Sequence, residues 1–307
     1  MGNKVKDPGF GASTNKYAKR MVNNDGSFNI KRINRPTKFL ETYHYLINIS
    51  WINFFLLAAL GFLVVNTFFA GVYLLIGIEE IIASSGSVLK DFSNAFFFSS
   101  QTLTTLGYGA MSPNGVLSGV VSSFEAFLGL SMFSFLTGLI YGRFSKPKSS
   151  IRFSENIILR DFNQTKAIMF RLVNNRSTVM INPKVSVTLS LTKKNNTGEY
   201  TRSFYLLDLE RDAISYLPTT WTVVHEITEQ SPLYNLTKEE LVNHNGELLV
   251  MVSYYDESFN QEIHQMHSYE LKEIKADYKF VLAYFYDEVG QMVLDYNLFD
   301  KIVPLKS

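Results

Sequence analysis

Between Leu46 and Ile78 the chain reads LINISWINFFLLAALGFLVVNTFFAGVYLLIGI, an apolar run without one charged side chain. At ~1.5 Å of rise per helical residue, even part of it exceeds the ~30 Å thickness of bilayer hydrocarbon. A buried helix of a soluble protein rarely needs this length, and a signal peptide is shorter and starts nearer the beginning of a chain. The run therefore reads as a membrane span. A second block, Gly115 to Gly142, carries a single charge, Glu125, and is rich in the Gly, Ser and Ala that let helices pack closely. The overall composition, 46% hydrophobic and 19% charged, averages over this apolar middle and more ordinary flanks. The chain has no cysteine, which excludes disulfides, thiolate metal sites and cysteine nucleophiles.

Charge divides the chain into three environments. Residues 1–42 carry nine Lys or Arg and three acids, residues 43–150 four of each, and residues 151–307 a net of −5. The overall +1 speaks against a nucleic-acid binder. Lys31, Arg32, Arg35 and Lys38 precede the first span, and Arg143, Lys146, Lys148 and Arg152 follow the second; Glu79, Glu80 and Asp91 outweigh Lys90 between them. The positive-inside rule then predicts a multi-pass cell-membrane protein with both termini in the cytoplasm. Segments 184–191, 203–209, 248–255 and 279–285 are short and rich in Val, Tyr, Phe and Leu, and turn signals at 194–198 and 243–246 separate them. That pattern predicts a cytoplasmic β-sandwich.

The stretch between the spans is too apolar for a simple loop. Residues 92–104 predict a helix of about three turns with Asp91 as its N-cap, too short to cross the bilayer. Thr105-Leu106-Gly107-Tyr108-Gly109 follows. Irregular backbone at membrane depth survives only where it lines water or protein. Two glycines alternating with larger residues allow successive carbonyls to point the same way, so oxygens of Thr105, Leu106, Gly107 and Tyr108 could replace an ion's water shell, as the similar loops of potassium-channel filters do for K⁺. Filters of that kind are built from four such loops, which predicts a homotetramer. A phosphate-binding G-x-G-x-x-G is excluded, because Ser112 stands where its third glycine belongs.

On these residues the chain resembles the prokaryotic (KirBac-like) branch of the inward-rectifier potassium channels. The resemblance runs from Arg20 to the C-terminal region through 95–113 (AFFFSSQTLTTLGYGAMSP), 141–153, 170–176, 221–233 and 267–274. It implies a multidomain tetramer: a cytoplasmic N-terminal segment (1–35), an interfacial slide helix (36–47), a two-helix pore domain (48–145) and an immunoglobulin-like β-sandwich (146–307). Within the pore domain the expected parts are an outer helix at 48–78, a pore helix at 92–104, a filter at 105–109 and an inner helix at 115–142. The absent cysteines fit the prokaryotic branch, since the animal relatives carry a pair flanking the pore. Tyr254–Asn260 falls where the family has its apical loop constriction.

Single residues then acquire expected roles. Tyr141 aligns with a bulky gate residue at the cytoplasmic end of the inner helix; the alternative is an interfacial belt tyrosine. Gly129 and Gly138 serve as hinges or as close-packing positions. Gln101 stands where the family usually has Glu, and Met111 where animal channels place that acid's Arg partner, so a neutral hydrogen bond from Gln101 is expected to brace the filter. Glu125 either bonds polar neighbours behind the pore or attracts cations. Phe133 occupies the cavity position where strong rectifiers carry an acid, so weak rectification is expected. Arg35, Lys38, Arg143, Lys146 and Lys148 either set topology alone or also bind anionic lipid headgroups. Glu262, His264 and His267 lack a further metal partner, and no catalytic constellation is visible; no cofactor is expected, and K⁺ is the permeant ion. Two competing readings are a membrane-tethered β-sandwich sensor or interaction protein and, because of Leu106 and Gln101, a nonselective cation channel.

Overall fold

A computed structural model describes residues 3–15, 18–34, 39–146, 149–176, 179–194, 198–237, 239–240 and 245–305. Residues 35–38 and 147–148, and with them Arg35, Pro36, Lys38 and Lys148, lie outside the described set, as do most of the two turns expected at 194–198 and 243–246. The chain forms two compact units, residues 34–146 and residues 1–33 together with 147–307.

The first unit is helical: α1 (Phe39–Asn48), α2 (Trp51–Ile76), α3 (Val88–Leu103) and α4 (Val116–Phe144). The 26 and 29 residues of α2 and α4 are each long and apolar enough to cross a membrane. Both leave apolar side chains outward, such as Ile52, Leu56 and Leu60 on α2 and Val120, Phe124 and Phe127 on α4. Phe69, Tyr73, Ala95 and Phe98 form the buried contact of α2 with α3.

Helix boundaries differ from the sequence expectation in ways the local chemistry explains. The outer helix begins at Trp51, not at residue 48, because Ser50 caps it by accepting the Asn53 N–H at 3.2 Å. It stops at Ile76, before Gly77 at φ 120°. The pore helix begins at Val88, four residues earlier than expected, so Asp91 lies within its first turn and is not the N-cap. The carboxylate is instead the organiser of the preceding loop: it accepts Ser84 Oγ at 2.8 Å, Ser85 N–H at 2.9 Å and Ser85 Oγ at 2.7 Å. The inner helix continues to Phe144, two residues past the expected end, and the first helix runs to Asn48.

The second unit is a β-sandwich. Its strands are β1 (Lys4–Val5), β2 (Ser13–Thr14), β3 (Ile151–Phe153), β4 (Ile157–Phe162), β5 (Thr165–Asn174), β6 (Met180–Lys194), β7 (Tyr200–Leu207), β8 (Thr220–Glu226), β9 (Gly246–Asp256), β10 (Gln261–Glu270) and β11 (Ile274–Ala276). One sheet runs β1-β7-β6-β9-β10, with β2 also on the β7 edge. The other runs β11-β4-β5-β3, with β8 on the far side of β5. Leu172, Leu189, Val223 and Val250 from the two sheets share one buried core, the hydrophobic layer a sandwich requires. The single strand expected at 279–285 is two, β12 (Tyr278–Phe280) and β13 (Tyr284–Tyr286), which pair with β15 (Ile302–Pro304) and β14 (Met292–Leu294).

The N-terminal segment belongs to this unit, a placement that charge patterning did not foresee. Strands β1 and β2 extend the β7 edge, and buried Glu247 accepts the backbone N–H groups of Met21 (2.8 Å) and Val22 (3.3 Å).

Candidate functional site: the filter segment and its supports

The filter segment leaves α3 at Thr104, whose hydroxyl donates back to the Ser100 carbonyl at 2.6 Å. From there φ is positive at every second residue, +57° at Thr105, +51° at Gly107 and +85° at Gly109, while Leu106 and Tyr108 stay on the ordinary side. Alternation between left- and right-handed backbone turns successive carbonyls toward one side of the strand. Two of the three left-handed positions are glycine, the residue that adopts this conformation without a steric cost, and neither would press a Cβ on any described residue beyond its chain neighbours. Thr105 adopts it as a β-branched residue, at roughly 1–2 kcal/mol.

Gln101 supports this segment through its backbone. Its carbonyl accepts the Leu106 N–H at 2.8 Å and the Gly107 N–H at 3.3 Å. The expected brace from its side chain is not formed among the described residues; the main chain at the end of α3 does that work. Leu106 and Tyr108 are more than half exposed in the single chain.

Behind the filter, Glu125 of α4 is fully buried together with Tyr73 and Asn66 of α2 and Ser99 of α3. Tyr73 donates its hydroxyl to Glu125 Oε2 at 2.6 Å, and Ser99 Oγ lies 2.5 Å from Glu125 Oε1 and 2.9 Å from Asn66 Oδ1. The network joins all three long helices. Glu125 was foreseeable from its lone charge; its partners were not, because they lie 26 to 59 residues away in the chain.

Along α4, Gly129 meets the end of α3 so closely that a Cβ would lie 2.0 Å from the Leu103 carbonyl oxygen. Apart from its own helix backbone, Gly138 has no atom of a described residue within 4 Å of such a position, and the helix is continuous through both. Phe133 (72% exposed) and Tyr141 (73% exposed) stand two turns apart with exposed Thr137 between them. Phe133 also lines a cavity of about 490 Å³ with Thr105, Leu130 and Phe62.

The basic cluster at the end of α4 is partly occupied by protein. Arg143 Nη1 donates to the Leu46 carbonyl at 2.6 Å and Nη2 to the Ile49 carbonyl at 2.7 Å. Its guanidinium also lies over the rings of Trp51 (4.4 Å) and Phe54 (4.7 Å). Far from standing free at headgroup depth, Arg143 closes the orphan carbonyls around the end of α1, which is the chemistry expected of a cation at a helix C-terminus. Lys146 donates to Asn48 Oδ1.

In the β-sandwich, Tyr254–Asn260 forms the end of β9 and the turn into β10, where Asp256 Oδ1 accepts the Ser258 N–H at 2.9 Å. No group of metal-ligating side chains occurs among the described residues. His267 instead stacks on Phe153 at 4.6 Å and meets Tyr269 edge-on. Burial, reinforced by the Arg20 charge, pushes its imidazole down to about 4. Because the folded value lies below the ordinary ~6.5, the neutral ring contributes its full stability above that pH and loses it as pH falls toward 4. The full-length protein is therefore expected to lose on the order of 2–3 kcal/mol across that window. His267→Phe should remove that part of the decline in thermal unfolding measured against pH.

Comparison with known proteins places these features in context. Residues 151–307 match the model of the inward rectifier potassium channel C-terminal domain, and residues 54–146 match an ion channel model. The chain is 34% identical over 285 residues to the inward rectifier potassium channel Kirbac3.1 of Paramagnetospirillum magnetotacticum, covering 92% of this chain and 95% of that one. Among solved structures, the sporulation control protein Spo0M of Bacillus subtilis aligns with 42% of this chain and 51% of its own at 9% identity and a TM-score of 0.22. The Pseudomonas fluorescens alkylpurine DNA glycosylase AlkC, bound to DNA containing an abasic site analog, aligns with 59% and 48% at 11% identity and a TM-score of 0.19. Superpositions this weak carry no argument about fold or function.

Proposed function

This chain belongs to the prokaryotic inward-rectifier potassium channels, and from that premise we propose that four copies surround a K⁺ path lined by the carbonyls of Thr105, Leu106, Gly107 and Tyr108. The observation that carries the proposal is the alternating sign of φ from Thr105 to Gly109. One strand with its carbonyls on one side provides a quarter of a coordination cage, and four around an axis complete it. The protein lies in the cell membrane with both termini in the cytoplasm, by the charge asymmetry of its flanks. Purified protein in liposomes with a K⁺ gradient should take up Rb⁺, reject Na⁺ and be blocked by Ba²⁺. Absence of flux would support a tethering role for the helices, and equal Rb⁺ and Na⁺ flux a nonselective pore.

Gating follows from the exposed stripe on α4. Four copies of Tyr141 converging at the cytoplasmic end of the inner helices form an apolar constriction that excludes hydrated ions. The cavity above it presents Phe133, an apolar ring without charge to hold a polyamine. Intracellular spermine at micromolar concentration should therefore produce only shallow, weakly voltage-dependent block, and steep block would contradict this assignment.

Lipid modulation is divided between two kinds of basic residue. Lys146, with Arg35, Lys38 and Lys148, attracts anionic headgroups at about 1 kcal/mol per charge near the surface. Arg143 acts differently, as the clamp that ties the end of α1 to the inner helix just below Tyr141. The −5 of residues 151–307 concentrates cations at the cytoplasmic entrance once multiplied around the ring.

A further inference from the structure

We propose that Glu125 is held as a neutral carboxylic acid, and that in this form it is the positioning residue that fastens the pore helix to the inner and outer helices. The effect on ion flux rests on the channel reading above; the protonation state stands on a count of hydrogen atoms.

Asn66 donates its Nδ2 to the Phe62 carbonyl at 2.7 Å, which fixes the amide so that Oδ1 faces Ser99. The opposite orientation would set two acceptors against each other. Ser99 Oγ thus sits between Asn66 Oδ1 at 2.9 Å and Glu125 Oε1 at 2.5 Å, and a serine hydroxyl has one proton to give. The hydroxyl of Tyr73 is spent on the other carboxyl oxygen, Oε2.

With an ionised carboxylate, one of the two contacts at Ser99 contains no proton. With a neutral carboxyl, every contact contains one: Glu125 Oε1–H donates to Ser99 Oγ, Ser99 Oγ–H donates to Asn66 Oδ1, and Tyr73 O–H donates to Glu125 Oε2. All four side chains are fully buried within one chain, and no ion pair among the described residues includes Glu125. An unpaired charge in such a place would go without the solvation it requires, whereas the neutral acid closes the network. Glu125 belongs to α4 and lies outside the filter segment. It acts through Ser99, two residues before Gln101, whose carbonyl holds the N–H groups of Leu106 and Gly107.

The amide of Gln reproduces the neutral acid's pattern, with Nε2–H donating to Ser99 and Oε1 accepting from Tyr73. Glu125→Gln is therefore expected to keep wild-type Rb⁺ flux and Ba²⁺ affinity in liposomes. Glu125→Ala, which removes both contacts of the carboxyl group and leaves only the one between Ser99 and Asn66, is expected to lower flux about tenfold. Infrared difference spectra of the full-length wild-type protein at neutral pH should contain a buried carboxylic-acid carbonyl stretch that Glu125→Gln lacks. Absence of that band from the wild type would overturn the proposal, as would loss of flux in a folded Glu125→Gln tetramer beside a conducting wild type. If the wild type itself fails to conduct, the channel reading falls, and the infrared band still decides the state of Glu125.

Discussion

Rb⁺ uptake through the Gly107→Ala variant is expected to fall to the level of protein-free liposomes. Gly107 stands at φ +51°, and a methyl group there costs roughly 1–2 kcal/mol in left-handed backbone. The larger effect comes from how the backbone relieves that cost. Rotating residue 107 toward negative φ breaks the alternation that begins at Thr105 and swings one carbonyl out of the row. It also disturbs the 3.3 Å bond from the Gly107 N–H to the Gln101 carbonyl. Repeated in the four subunits proposed above, the change would remove a complete ring of oxygens from the proposed ion path. The variant should still purify as a folded protein with wild-type secondary structure by circular dichroism, because the Cβ meets no described residue beyond its chain neighbours.

The second large effect separates two glycines of the inner helix that look equivalent in sequence. Gly129→Ala is expected to lose both flux and thermal stability, whereas Gly138→Ala should conduct. At position 129 a Cβ would lie 2.0 Å from the Leu103 carbonyl oxygen and 2.8 Å from its carbon, and backbone atoms cannot rotate away as a side-chain tip can. Overpacking commonly costs about 1–3 kcal/mol, and here it pushes on the last residue of the pore helix, two residues before Thr105. At position 138 the methyl group enters open space within the chain and improves helix propensity by about 1 kcal/mol. If both glycines acted only as hinges, the two substitutions would impair gating alike and leave thermal stability nearly unchanged. Thermal unfolding of the two variants, paired with Rb⁺ flux, distinguishes packing from bending.

What the sequence made legible was local in the chain. Two uncharged runs announced the spans, and the TLGYG run announced its own conformation, because alternate glycines permit alternate backbone hands. The β-sandwich was readable from short Val- and Tyr-rich segments, although 279–285 looked like one strand and is two. What escaped was non-local or depended on competition between partners. Asp91 has the chemistry of an N-cap, but two serines six and seven residues earlier claim its carboxylate, so the helix starts ahead of it. The polar companions of Glu125 come from two other helices, and nothing in the pattern around residue 125 indicates them. Arg143 reads as a headgroup cation by position, yet the end of α1 offers it two open carbonyls. Gln101 drew attention to its side chain, while its carbonyl holds the filter segment.

Arg143 and Glu125 illustrate one physical rule at two depths. Inside or beside hydrocarbon, a polar group is stabilised chiefly by the partners the protein supplies, so the folded neighbourhood determines its role more than its identity does. Arg143 thereby becomes a mechanical link between helices, and Glu125 a proton-sharing one.

Whether residues 105–109 from four chains form a K⁺-selective path is read most directly from the reversal potential of the reconstituted channel in a planar bilayer. With K⁺ on one side and Na⁺ on the other at equal concentration, a four-chain carbonyl filter should give a reversal potential displaced strongly in the direction that favours K⁺, with the current abolished by Ba²⁺. A reversal potential near zero under the same conditions would contradict it.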